Sequence, residues 1–206
     1  MGFKRDMRRK VFLVEGINDY FLIEEICKRC DKKYGKLYEH RGKSNRKRQS
    51  SIIRLFRQSM LQESDKEIGI KIENGSDIIV KYLVDYFIWK DILNIWDMDF
   101  VFLFDEKDIL KTEIGKAHQI KNCKELIAYI RKLKISLKEI GRNTYQCKNV
   151  YISVTPKSLE RLVKEYINID LHNLNQNQKK EAIKEFVDFC LIKKDKWLLS
   201  LMNIIK

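Results

Sequence analysis

The chain has one proline, Pro156, and eight glycines among 206 residues. So little turn-forming residue excludes a linker-rich chain and argues against an all-β domain with many tight turns. Long apolar runs are also missing, and no stretch approaches the roughly 20 residues needed to span a bilayer. The basic N-terminus leads into an apolar run that stops after Val14 at Glu15, which excludes a signal peptide. A cytoplasmic location without membrane association is the expectation. The five cysteines have no regular spacing. Cys27 and Cys30 form a lone C-x-x-C with no second ligand pair, and His40, His118 and His172 are scattered, so reduced thiols are expected rather than zinc.

What is abundant is charge. Lys and Arg number 42 against 29 Asp and Glu, a net charge of +13. Such an excess points to an anionic partner, nucleic acid first. A generally Lys-rich surface is the alternative, and charge alone does not separate the two. At 44% hydrophobic, the chain can bury a proper core.

Two apolar runs read almost alike. Val11-Phe12-Leu13-Val14 leads into Glu15-Gly16 and Asp19, and Val101-Phe102-Leu103-Phe104 leads into Asp105-Glu106-Lys107-Asp108. Four consecutive apolar residues suit a strand buried on both faces of a parallel sheet. Ligands of such sheets bind beyond the carboxyl ends of the strands, where both acidic groups would sit. Strands are expected at Lys10–Val14, Gly69–Glu73, Phe100–Phe104 and Asn149–Val154. Helices are expected after Asn18 or Asp19, from Ser50, after a Ser76 cap, over 121–139, from Thr155-Pro156, and over 176–192 and 195–205. The sum is an α/β fold with a mostly parallel sheet of about four strands flanked by helices. It comprises a domain over 1–170 and a C-terminal helical extension over 171–206 packed on it, which leaves room for a homodimer.

Magnesium takes carboxylate oxygens and keeps several waters, so one or two carboxylates and a substrate phosphate hold it. Glu15 and Asp105 would serve if their strands are neighbours. Each acid also has a plainer reading. Glu15, Asp19 or Glu160 at the start of a helix complements the helix dipole. Asp105, Glu106 and Asp108 crowd one turn, and an ion would relieve their repulsion. Asn74-Gly75-Ser76 is first a turn and a cap, although the backbone N–H groups at Gly75 and Ser76 could also bind phosphate. A basic insertion over about 31–57 carries Arg41, Lys43, Arg46, Lys47, Arg48, Arg54 and Arg57, with no acid from Arg41 to Arg57. It would either neutralise nucleic-acid phosphates or form a solvated loop. Tyr34 and Tyr38 beside it could stack on bases.

Val14-Glu15-Gly16-Ile17-Asn18-Asp19 resembles the first motif of the Toprim domain, a Glu after a hydrophobic strand, often as E-G-x-x-D. Glu73-Asn74-Gly75-Ser76 resembles the glycine turn after its second strand, and Phe102-Leu103-Phe104-Asp105 its third strand leading into D-x-D. Ser158-Leu159-Glu160 resembles the S-[IL]-E segment of small Toprim-like proteins and OLD-family nucleases. The pieces occur in family order across roughly residues 10 to 165. The resemblance implies a Toprim-like (Rossmann-like) sheet and magnesium- or manganese-dependent nuclease chemistry on DNA or RNA. It further implies Glu15 as acid–base residue or ligand, Asp105 with Asp108 or Glu106 as metal ligands, and Asp19 and Glu160 as supporting acids. D-x-D would place an acid at position 107, where this chain has Lys107. A lysine there could instead blunt the site, leaving a non-catalytic module that binds nucleic acid or a protein.

Overall fold

The computed structural model describes residues 9–37, 66–73, 79–80, 83, 98–133 and 135–206. The described strands form one seven-stranded sheet in the order β2-β3-β1-β4-β7-β6-β5. They are β1 (Arg9–Val14), β2 (Tyr34–Lys36), β3 (Ile68–Ile72), β4 (Met98–Asp105), β5 (Lys138–Gly141), β6 (Thr144–Cys147) and β7 (Val150–Thr155). β2, β3, β1, β4 and β7 run parallel, while β6 pairs antiparallel with both β7 and β5. The fold is therefore α/β, with seven strands rather than about four.

The twin runs are the centre of the sheet. β1 and β4 are neighbours, with Leu13 opposite Phe102, and Val11–Val14 and Val101–Leu103 are fully buried. Side chains alternate between two cores, as strand geometry requires. Val11, Leu13, Phe100, Phe102 and Phe104 enter one, with Ile79, Leu83 and α3 (Cys123–Lys132) over it. Phe12, Val14, Val101 and Leu103 enter the other, beneath α1 (Ile17–Arg29), α4 (Leu159–Ile167), α5 (Gln176–Ile192) and α6 (Lys196–Ile205). The two C-terminal helices thus share one core with the first strand and helix. Trp197 of α6 donates to Ser153 of β7 across this core at 3.2 Å, satisfying two buried polar groups at once.

Several expected boundaries move. The helix expected over 121–139 ends at Lys132, and Lys138–Gly141 turns instead into a hairpin with Thr144–Cys147. Asn143 in the two-residue connection has φ 51°, a left-handed conformation that Asn adopts readily. The helix expected from Thr155-Pro156 starts at Leu159, because Thr155 still pairs with Asp105 in the sheet and Ser158 is the cap, accepting from the Arg161 N–H. Part of the expected basic insertion is strand β2, where Tyr34 donates to Glu24 at 3.0 Å and packs on the core instead of standing free. Among the described residues no helix is long and apolar enough to cross a membrane.

Candidate metal centre

β1 lies between β3 and β4. The chain leaves β1 towards β2 and β3 on one side, then crosses to build β4 and β7 on the other. The crevice where growth of a parallel sheet reverses is the usual ligand position. Glu15 follows the last residue of β1, and Asp105 is the last residue of β4.

Beyond Asp105 the chain tightens into a 3-10 helix, Glu106–Lys111, which carries Asp108 back over the strand ends. Carboxylate oxygens of Glu15, Asp105 and Asp108 all lie within 4.8 Å of one another. Thr112 closes this turn, its hydroxyl donating to the Ile109 carbonyl at 2.7 Å and accepting from the Gly115 N–H at 2.8 Å. Gly115, in the short helix α2 (Glu113–His118), is required there, because a Cβ would stand 1.9 Å from the Ile109 carbonyl oxygen.

Two further acids border the three. Asp19 sits in the first turn of α1 and accepts from the Gly16 N–H at 3.0 Å. Glu160 sits in the first turn of α4 and accepts from the Asn18 side-chain amide at 2.8 Å. Glu106 does not join the group. Its carboxylate accepts from the Cys123 N–H at 3.1 Å, at the start of α3. Lys107 is exposed and forms no ion pair with the cluster, so position 107 turns outward and the next residue supplies the carboxylate. Lys111 pairs with Asp108. Neither Asn18 nor Lys111 carries a sequence signal for this place. Arg41, Lys43, Arg46, Lys47, Arg48, Arg54, Arg57, Gly75, Ser76 and Tyr38 lie outside the described residues.

Like charges at 4.8 Å repel by roughly 3 kcal/mol per pair at an effective dielectric near 20. Burial, with this repulsion added, raises the pKa of Asp105, Asp19 and Glu15. Burial, then the charges of Asp19, Glu15 and Glu160, push Asp105 up to about 8, against a smaller opposing pull from Lys107. Burial pushes Asp19 up to about 7, with its Gly16 hydrogen bond opposing. Glu15 is raised by burial and then by Asp108.

This group of residues could hold a metal ion. The donors are carboxylate oxygens without nitrogen or sulfur, which suits a hard divalent cation. One Glu15 carboxylate oxygen, Oε2, is buried with no hydrogen-bond partner among the described residues, and a bound cation would satisfy it. Among the described residues no other cluster of His, Cys, Asp and Glu has such geometry, and all five cysteines are free thiols. No family model matches the chain, and no curated protein or solved structure is significantly similar to it.

Proposed function

We propose that this chain is a Toprim-like, magnesium-dependent phosphodiesterase acting on nucleic acid. The observation that carries the reading is the meeting of Glu15, Asp105 and Asp108 within 4.8 Å at the switch point of the sheet. Magnesium, or manganese, bound there would polarise a phosphoryl oxygen and make an attacking water more acidic. Asp105 and Asp108 would hold the ion. Glu15, whose raised pKa brings it closer to neutral pH, would accept the proton of the attacking water or give one to the leaving oxygen. Asp19 and Glu160, anchored on helix first turns, keep the local field negative and so favour a cation.

The net charge of +13 favours an anionic substrate, and the lysines and arginines from Arg41 to Arg57 would grip its backbone. The order of the acid-tipped strands supports kinship with Toprim proteins. A non-catalytic binding module is the competing reading. The outward position of Lys107, with Asp108 in the cluster, weighs against it.

The test is a titration with Mg2+ and Mn2+, followed by thermal melting and by cleavage of labelled DNA and RNA. Metal should raise the melting temperature and support cleavage. Glu15→Gln should lose cleavage while keeping the fold, and Asp105→Asn should lose both metal stabilisation and cleavage. Cleavage by either variant at the wild-type rate would refute the assignment.

A further inference from the structure

We infer that Lys111 is a built-in counter-ion of the carboxylate cluster, an ammonium that holds Asp108 in the metal-free protein and that a divalent ion must displace. The inference rests on the Glu15–Asp105–Asp108 cluster being a divalent-cation site. It adds that the chain carries its own competitor for that site.

Lys111 is the last residue of the 3-10 helix Glu106–Lys111. Side chains three apart eclipse one another on such a helix, so Lys111 is set over Asp108. Its ammonium pairs with Asp108 Oδ1, an oxygen that solvent does not reach. Carboxylate oxygens of Asp108, Glu15 and Asp105 lie within 4.8 Å of one another, so the ammonium borders the place an ion would take. The backbone beneath it is fixed, because the Thr112 hydroxyl donates to the Ile109 carbonyl at 2.7 Å just where the helix ends. The side chain itself can leave. It is 71% exposed, and its ammonium can swing into water without disturbing the core.

The two occupants of Asp108 are unequal. An ammonium brings one charge to one carboxylate and is well hydrated once released. A divalent ion brings two charges and takes oxygens from several carboxylates. The ion therefore displaces the lysine, at the cost of the Lys111–Asp108 pair. That cost lowers metal affinity and raises the ion concentration at which the site fills.

Lys107 supplies the control. It lies in the same 3-10 helix with the same charge, but forms no ion pair with the cluster. Its charge bears on Glu15 and Asp105 through space, so a through-space effect alone would appear on its removal as well.

The experiment measures Mn2+ uptake by calorimetry, and thermal melting in chelator, for wild type, Lys111→Gln, Lys111→Arg and Lys107→Gln. Lys111→Gln should bind Mn2+ roughly fivefold tighter than wild type. In chelator it should melt about 2 °C lower, because Asp108 loses its partner. Lys111→Arg keeps the pair and should stay close to wild type in both readouts. Lys107→Gln should change Mn2+ affinity by less than about twofold. Uptake by Lys111→Gln alone would show the lysine closing the site outright. Affinity in Lys111→Gln no higher than in wild type, or a gain that Lys107→Gln matches, refutes the inference and leaves the metal centre standing. An unchanged melting temperature of Lys111→Gln in chelator also refutes it, since the ammonium would then contribute nothing to the metal-free cluster. Absence of Mn2+ uptake in wild type and Lys111→Gln alike refutes the metal reading, and the inference with it.

Discussion

Replacing Asp105 with asparagine should make the metal-free protein more stable, and increasingly so as pH rises. In the native state the carboxyl holds its proton up to about pH 8, against an ordinary value of 3.8. Between those values the folded chain binds one more proton than the unfolded chain, so the stability this carboxyl contributes falls as pH rises and is gone above the folded pKa. The difference corresponds to roughly 5–6 kcal/mol. Relaxation of the site around the buried charge offsets part of it, leaving about 3 kcal/mol between pH 4 and pH 8. For a chain of this size that is a fall of about 6–12 °C in melting temperature. The assay is thermal melting in chelator across that range. Wild type should lose stability with pH, and Asp105→Asn should have a shallower slope. Saturating Mg2+ should reverse the order, because binding to the native carboxylates stabilises wild type only. Parallel slopes for the two proteins in chelator would refute the electrostatic account of the cluster.

Two further substitutions test the scaffold. Gly115→Ala forces a Cβ against the Ile109 carbonyl; it should destabilise the chain by about 2 kcal/mol and weaken metal binding by shifting Asp108, read by denaturant melts and Mn2+ calorimetry. Asp195→Ala removes the cap of α6, which accepts from the Leu198 N–H at 2.9 Å, and should cost about 1 kcal/mol with metal affinity unchanged.

The centre of the fold is legible in the sequence because Val11–Val14 and Val101–Phe104 are buried on both faces, and such strands must be continuous apolar runs. The pairing of these strands makes the rim legible too, down to Glu15 and Asp105. The edge of the sheet is not. Lys138, Glu139 and Ile140 are exposed, so they carry no alternation and read as the tail of a helix; only Asn143 marks the hairpin. Tyr34–Lys36 is too short to signal a strand. Which of Glu106, Lys107 and Asp108 faces the site depends on a 3-10 turn fixed by Thr112 and Gly115, a packing constraint with no periodicity. The Asn18–Glu160 bond joins residues 142 apart and is invisible to any local pattern.

The strand order also has a kinetic side. β1 lies between β3 and β4, yet its partners follow it by more than fifty residues along the chain. Contacts of such long sequence separation form slowly, and an unpaired Val-Phe-Leu-Val segment adheres to other chains while it waits. The Glu15–Asp105–Asp108 cluster cannot exist until β4 has docked beside β1. A divalent ion would therefore act on the finished sheet, slowing its opening more than hastening its assembly.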